Sequence, residues 1–494
     1  MEENESSMLF NSFSFLIFFP TVTVLYFLIP HRYRWFFLLT ASCIFYMAFI
    51  PIYILVLALT IVIDYTAGLL IEKTEGKKRK VLLVLSIVST CTVLIVFKYF
   101  NFFNSNLARV AQFFHWNYSI GALSLILPIG LSFHTFQSLS YVIEVYRGNY
   151  RAEKHFGIYA LYVMFYPQLV AGPIERPQNL LPQFYEKHTY DDQRAMDGLK
   201  LMLWGFFKKV VIADKLAILV DQVYKDPTQY TGIPLIAGAL FFAIQAYCDF
   251  SGYSDIAIGA AQVMGFRLRD NFNRPYHSPS VTELWRRWHM SLMSWFRDYV
   301  YIPLGGSRVG KWRWYFNIFF TFTLSGLWHG AGWGYVLWGS LTGIWLIVSD
   351  WTKHFRARCV RGMKLDRFPV FQHGYRIAFT FLLFCYTIIL FRAKSLSDGL
   401  YVMTHLGTGL GSLDGLKMSM ASLYDLGLDR AQLIVSLISI GLMELVEGVE
   451  PQKNMRQMFS GRTVLFRWAM YYTTILFLIF FGEYNDHAFI YFQF

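Results

Sequence analysis

An all-α, polytopic membrane protein is the fold class this sequence predicts. Three observations carry the expectation: an apolar composition, apolar runs repeated along the whole chain, and basic residues gathered in the connections between those runs. Of 494 residues, 55% are hydrophobic, 19% aromatic and only 15% charged, whereas an ordinary soluble domain has about 25% charged residues. A run of roughly 18 or more apolar residues can cross a hydrocarbon core about 30 Å thick. A water-soluble fold would leave too much of this apolar surface exposed.

The apolar runs fall at about 9–29, 35–48, 52–71, 81–99, 123–146, 156–171 and 199–222. Others follow at about 233–248, 314–328, 333–349, 375–391, 432–446 and 464–481. The one passing through Tyr166-Pro167-Gln168 and Gly172-Pro173 is interrupted, which predicts a broken or re-entrant helix shielded by protein. No long polar stretch could fold as a separate soluble domain, so residues 1–494 read as one membrane domain. Internal repeats of the kind that build inverted-repeat transporters are not visible. The acidic start Met1-Glu2-Glu3-Asn4-Glu5 lacks the positive charge of a cleavable signal, so the first run is expected to be retained.

A formal net charge of +12 could suggest nucleic acid, but here the positions of the basic residues exclude it. Arg32 and Arg34 follow the first run, Lys73 and Lys77-Lys78-Arg79-Lys80 the third, and Arg147, Arg151 and Lys154 the fifth, while the turns near Pro51 and Asn101 are nearly free of charge. Basic connections stay in the cytoplasm. The N-terminus is therefore expected on the side of the membrane away from the cytoplasm. Lys453, Arg456, Arg462 and Arg467 form a further basic connection, which predicts that Met470 to Phe481 exits and the tail faces outward. Cys43, Cys91, Cys248, Cys359 and Cys385 have no CxxC spacing and mostly lie in apolar runs, so they read as small core residues rather than disulfide or metal sites.

Polar and ionisable residues crowd between about Asn149 and Gly343, among apolar runs. Such residues are costly in a bilayer and either line a pathway or join helices by hydrogen bonds. In SVTELWRRWHMSLMSWFRDY, Ser280 followed by Glu283 is a capping-box signature that predicts a helix start. Continued at helical spacing, Trp285, Trp288, His289, Leu292, Phe296 and Tyr299 share one face. The result is an amphipathic helix that either lies in the interface on the cytoplasmic side or, by its tryptophans and arginines, lines an entrance for a phosphorylated, partly apolar ligand. His289 is then either a hydrogen-bonded core histidine or a polar group aimed into a reaction chamber.

A second histidine, His329, lies in LSGLWHGAGWG between two long apolar runs. Gly326, Gly330, Ala331, Gly332 and Gly334 permit close approach either by another helix or by an extended substrate arm. Packing alone would explain the glycines but not the imidazole. Two histidines among aromatic residues suggest acyl transfer, in which a base takes the proton of an acceptor hydroxyl that attacks a thioester. No GxSxG elbow points to a serine nucleophile, and no HExxH spacing points to a metal.

These segments resemble the bacterial branch of the membrane-bound O-acyltransferase family, which acetylates alginate or peptidoglycan or attaches D-alanine to teichoic acids. The likeness covers most of the chain. It runs through LPIGLSFHTFQSLSYVIEVYRG from Leu127, VAGPIERPQNLLPQF from Val170, DFSGYSDIAIG from Asp249, NRPYHSPSVTELWRRWHMSLMSWFRDYVYIPLGGSR from Asn273, LSGLWHGAGWGYVLWG from Leu324 and the closing FIYFQF. His134 departs from it, standing where the family more often has an aromatic residue.

The resemblance implies a helical bundle with a buried chamber open to both sides, and a catalytic segment over 273–343. It places the family's essential histidine at His329 and its companion at His289. Trp285, Trp288, Trp328, Arg297 and Asn273 become candidates for substrate binding, although Arg297 and Asn273, like Asp249, Ser254 and Asp255, also read as structural. YIPLGGSR at Tyr301 to Arg308 looks like the acetyl-transferring branch. Acetyl-CoA is then the donor, with no permanently bound cofactor and no metal. The acceptor is an exported polysaccharide, reached through an extracytoplasmic partner with a serine hydrolase-like fold. D-alanyl transfer from an acyl carrier protein is the alternative within the family. Outside it stand a proton-coupled transporter and a non-catalytic assembly subunit.

Overall fold

A computed structural model describes residues 8–449, 463–484 and 489–490, and among these residues there are helices and connections but no strand. Among the described residues, six helices are long and apolar enough to cross a membrane: Pro51–Lys73, Gly76–Phe113, Ile233–Met264, Pro369–Arg392, Arg430–Gly448 and Val464–Phe481. Phe13–Leu28 is apolar but shorter. No residue of Val464–Phe481 is buried, and a helix that is apolar all round yet exposed is matched to lipid rather than to water. The acidic start at 1–5, the basic residues Lys453, Arg456 and Arg462, and most of the FIYFQF ending lie outside the described residues.

The described residues fall into two compact units. One comprises the chain up to Met202 together with Tyr253–Arg269, the other Leu203–Gly252 together with Asp270 onward. In the first, the buried Asp64 of the Pro51–Lys73 helix accepts hydrogen bonds from Ser86 Oγ at 2.7 Å and Thr90 Oγ1 at 2.9 Å on the next helix. A carboxylate at that depth requires such donors. The helix expected over 156–171 ends at Met164, and turns follow from Tyr166 through Gly172. Beyond them the GPIERP segment is fixed by buried polar groups. Glu175 accepts from the Arg269 and Asn179 nitrogens at 2.6 Å each, and Arg176 Nη1 donates to Ser140 Oγ at 3.0 Å.

Two expected boundaries move. The apolar run at 123–146 becomes helical only from Leu131, because Gly130 turns the chain in the left-handed region at φ 75°. Conversely, the helix expected over 233–248 continues to Met264 and carries Asp249, Ser251 and Ser254 in its interior. These polar residues are buried rather than terminal.

In the second unit, buried Lys209 Nζ lies 2.7 Å from both Asp214 Oδ1 and Asp249 Oδ1. The second oxygen of Asp249 accepts from the Ile490 backbone N–H at 2.9 Å, while Lys209 sits 4.2 Å from the Phe489 ring centroid. One cation thereby joins two helices and holds the chain near its end. The helices Lys311–His329 and Trp333–Trp351 form a hairpin around extended Gly330 and Gly332. Gly326 and Gly339 face each other at their crossing. A Cβ on Gly326 would overlap the Tyr335 carbonyl oxygen, and one on Gly339 the Phe322 carbonyl oxygen.

Candidate active site

His289 and His329 both belong to the second unit and are 1% and 7% exposed. The two rings share Trp328 as a neighbour, whose centroid is 6.2 Å from that of His289 and 4.8 Å from that of His329. Phe250 meets His289 edge-on at 4.5 Å. Trp338 and Phe391 meet His329 edge-on at 5.2 Å each. His289 stands outside the six long apolar helices. Burial, and secondarily the neighbouring His329, hold its imidazole well below the ordinary range. A neutral ring can both accept and donate a proton.

The local fold around His289 corrects the expectation of one continuous amphipathic helix. Ser280 does cap the start, its Oγ accepting from the Glu283 N–H at 3.2 Å, but Glu283 pairs with Arg287 instead of closing a capping box. The helix Val281–Arg287 then stops, and a second, Met290–Phe296, begins after His289. His289 itself is left-handed at φ 45°, a conformation that costs a non-glycine residue on the order of 1–3 kcal/mol. The face shared by Trp285, Trp288, His289, Leu292, Phe296 and Tyr299 is therefore not a single helical face.

What holds the break is Asn271, a residue the sequence reading passed over. Its backbone oxygen accepts from the Met290 N–H at 2.8 Å, and its Oδ1 accepts from Ser291 Oγ at 2.6 Å and from the Ser291 N–H at 3.3 Å. The polar residues on either side of the RRWH motif were a signal for such a brace. The aromatic neighbours Phe250 and Phe391, far away in sequence, had none.

The five binding candidates separate in the structure. Trp328 neighbours both histidines. Trp285 is buried against Phe322, Trp338 and Phe384, and Trp288 against Phe272, Tyr276 and Phe384. Both stand in the walls of an aromatic core. Arg297 is exposed and paired with Asp298. Asn273 is exposed as well, and its backbone N–H donates to the Arg287 carbonyl. The glycine-rich segment resolves in favour of packing: Gly326 serves the hairpin crossing, Gly330 accommodates the Tyr335 ring, and Gly334 approaches the Leu390 carbonyl oxygen. Among the described residues no cluster of three His, Cys, Asp or Glu could hold a metal.

Residues 154–392 match the membrane-bound O-acyltransferase family. The chain is similar to a probable alginate O-acetylase of Azotobacter vinelandii, 40% identical over 397 residues that make up 79% of this chain and 76% of that protein. A probable alginate O-acetylase of Pseudomonas putida is 35% identical over 99% of this chain and 100% of its own length. The peptidoglycan O-acetyltransferase of Helicobacter pylori is 34% identical over 77% of this chain and 74% of its own. With two deeply buried histidines in the matched region and relatives of this identity across most of its length, the chain belongs to the membrane-bound O-acyltransferase family.

Proposed function

We propose that this enzyme takes an acetyl group from cytoplasmic acetyl-CoA and passes it, through a chamber open to both sides of the membrane, to a hydroxyl of an envelope polysaccharide such as alginate or peptidoglycan. The carrying observation is the buried pair His289 and His329 around Trp328, in a chain 34% to 40% identical to enzymes named for O-acetylation of alginate and peptidoglycan. Those relatives favour acetyl over D-alanyl transfer. The final handover runs through an extracytoplasmic partner with a serine hydrolase-like fold.

His329 is the base. Its ring takes the proton of the attacking hydroxyl as the oxygen adds to the thioester carbonyl; the C–S bond then breaks, and the proton passes to the departing thiolate. The imidazole ends as it began. Trp328, Trp338 and Phe391 around it keep water from competing for the thioester. His289 orients the thioester or the His329 ring, and Arg297, exposed at its head, is available to the donor's phosphates.

The test is acetyl transfer by purified protein in vesicles supplied with radiolabelled acetyl-CoA. A positioned base contributes about 10²–10⁴ in rate, so His329→Gln, which keeps hydrogen-bonding capacity but not basicity, should lower transfer by about 10² or more. Expression and detergent stability should stay near wild type. A His329→Gln protein transferring at the normal rate would remove the base from the mechanism. Activity only with a D-alanyl carrier protein would replace the donor.

A further inference from the structure

The connection between the Trp333–Trp351 helix and the apolar Pro369–Arg392 helix is itself helical over Lys353–Gly362, and it has no buried residue. Between Trp351 and Leu365 it contains five basic residues, Lys353, Arg356, Arg358, Arg361 and Lys364, and no carboxylate. Among the described residues none of the five makes an ion pair; Arg356 bonds the Ser349 carbonyl and Arg361 that of Ala357. Phe355, Cys359 and Met363 recur every four residues and share one side of the helix. Phe355 and Met363 are 65% and 63% exposed, and the preceding Trp351 is 74% exposed. At 100° per residue, Lys353 and Arg356 border this apolar arc on one side and Arg358 and Arg361 on the other.

An isolated solvated loop has no reason to expose a tryptophan, a phenylalanine and a methionine beside unpaired arginines. An interfacial helix does: its apolar side chains enter the acyl boundary, while basic side chains on both flanks reach the headgroups. A chain entering a hydrocarbon-crossing helix only a few residues later, at Pro369, also keeps this segment at the membrane surface. Basic connections lie on the cytoplasmic side, whose leaflet is anionic.

We propose that the Lys353–Gly362 helix is a binding site for anionic phospholipids, lying in the headgroup layer with Trp351, Phe355 and Met363 inserted and its arginines on lipid phosphates. The shared chemistry is phosphate recognition by arginine, and the lipid is the occupant because only a lipid surface also covers the apolar arc. This site is independent of acetyl transfer.

The test is hydrogen–deuterium exchange at residues 353–362 of the full chain in nanodiscs. Phosphatidylglycerol discs should slow exchange relative to phosphatidylcholine discs, and high salt should reverse the difference. Each basic residue near an anionic surface is worth about fivefold in binding. The triple variant Lys353→Gln, Arg358→Gln, Arg361→Gln should therefore lose roughly 100-fold of the added protection, with acetyl transfer as in wild type. Phe355→Ser, which leaves every charge in place, should also weaken protection. Equal exchange in the two lipids, or protection unchanged by the triple variant, would overturn the proposal. So would equal protection in phosphatidylcholine discs from inorganic phosphate or acetyl-CoA, which would make the patch a site for soluble phosphates.

Discussion

His289 combines a backbone conformation ordinarily left to glycine or asparagine with a ring that sits against Phe250 and Trp328. Asparagine tolerates the left-handed region, so His289→Asn separates the two demands. The turn should survive, with detergent stability near wild type, while acetyl transfer falls; the residual should exceed that of His329→Gln, because in the proposed mechanism an orienting ring is lost rather than the base. Transfer at the wild-type rate would make His289 purely structural. Asn271→Ala is the complementary change. It strips the Ser291 hydroxyl and N–H of their acceptor and should cost about 1–3 kcal/mol, measured as a lower unfolding midpoint, with transfer reduced as the His289 turn loosens. The imidazoles were legible in sequence because ionisable groups among apolar runs require a reason. Asn271 was less so, since one of the three hydrogen bonds of the brace uses its backbone oxygen. Asn273, two positions on and outside the brace, was the candidate that the resemblance offered instead.

One helix expected from its apolar run is extended where a buried polar group finds partners. Asp249 reads as the end of an apolar run, yet it lies inside the Ile233–Met264 helix because Lys209 and the Ile490 N–H satisfy it. Removing one member of such a buried pair is destabilising by roughly 3–5 kcal/mol. Asp249→Ala should accordingly lower the detergent melting temperature far more than a change at an exposed carboxylate such as Asp366; equal shifts would show the triad to be dispensable. The glycines of LSGLWHGAGWG posed a different difficulty. Their spacing permits a helix neighbour or a substrate arm equally, and only the facing residue, Gly339 on the next helix, decides between them. Gly339→Val has no room against the Phe322 carbonyl oxygen or the Gly326 backbone. Overpacking of this kind costs about 1–3 kcal/mol, so this variant should unfold at lower temperature and lose transfer, whereas Gly374→Ala, with nothing within 4 Å of the new Cβ, should do neither.

At the scale of the molecule, an all-helical membrane fold was readable from composition and apolar runs alone, whereas the direction of each crossing rests on charge placement. The helices Pro51–Lys73 and Gly76–Phe113 are joined by a turn at Thr74 and Glu75, beside the exposed Lys73, Lys77, Lys78 and Lys80. The second helix has 38 residues. At about 1.5 Å per residue it is longer than a hydrocarbon core about 30 Å thick, so its far end reaches beyond the bilayer near the exposed His115, Trp116 and Asn117. Basic residues at one end and few at the other are the basis of the expected orientation. In a protein whose Cys43, Cys91 and Cys359 are replaced, Glu75→Cys should resist an impermeant thiol reagent in intact cells and react once the membrane is opened. Asn117→Cys should react in intact cells. The opposite pattern would turn the basic face outward, where acetyl-CoA is not present. The donor would then have to reach His329 from the other side, and the direction of acetyl transfer proposed above would fail even if both histidines proved essential.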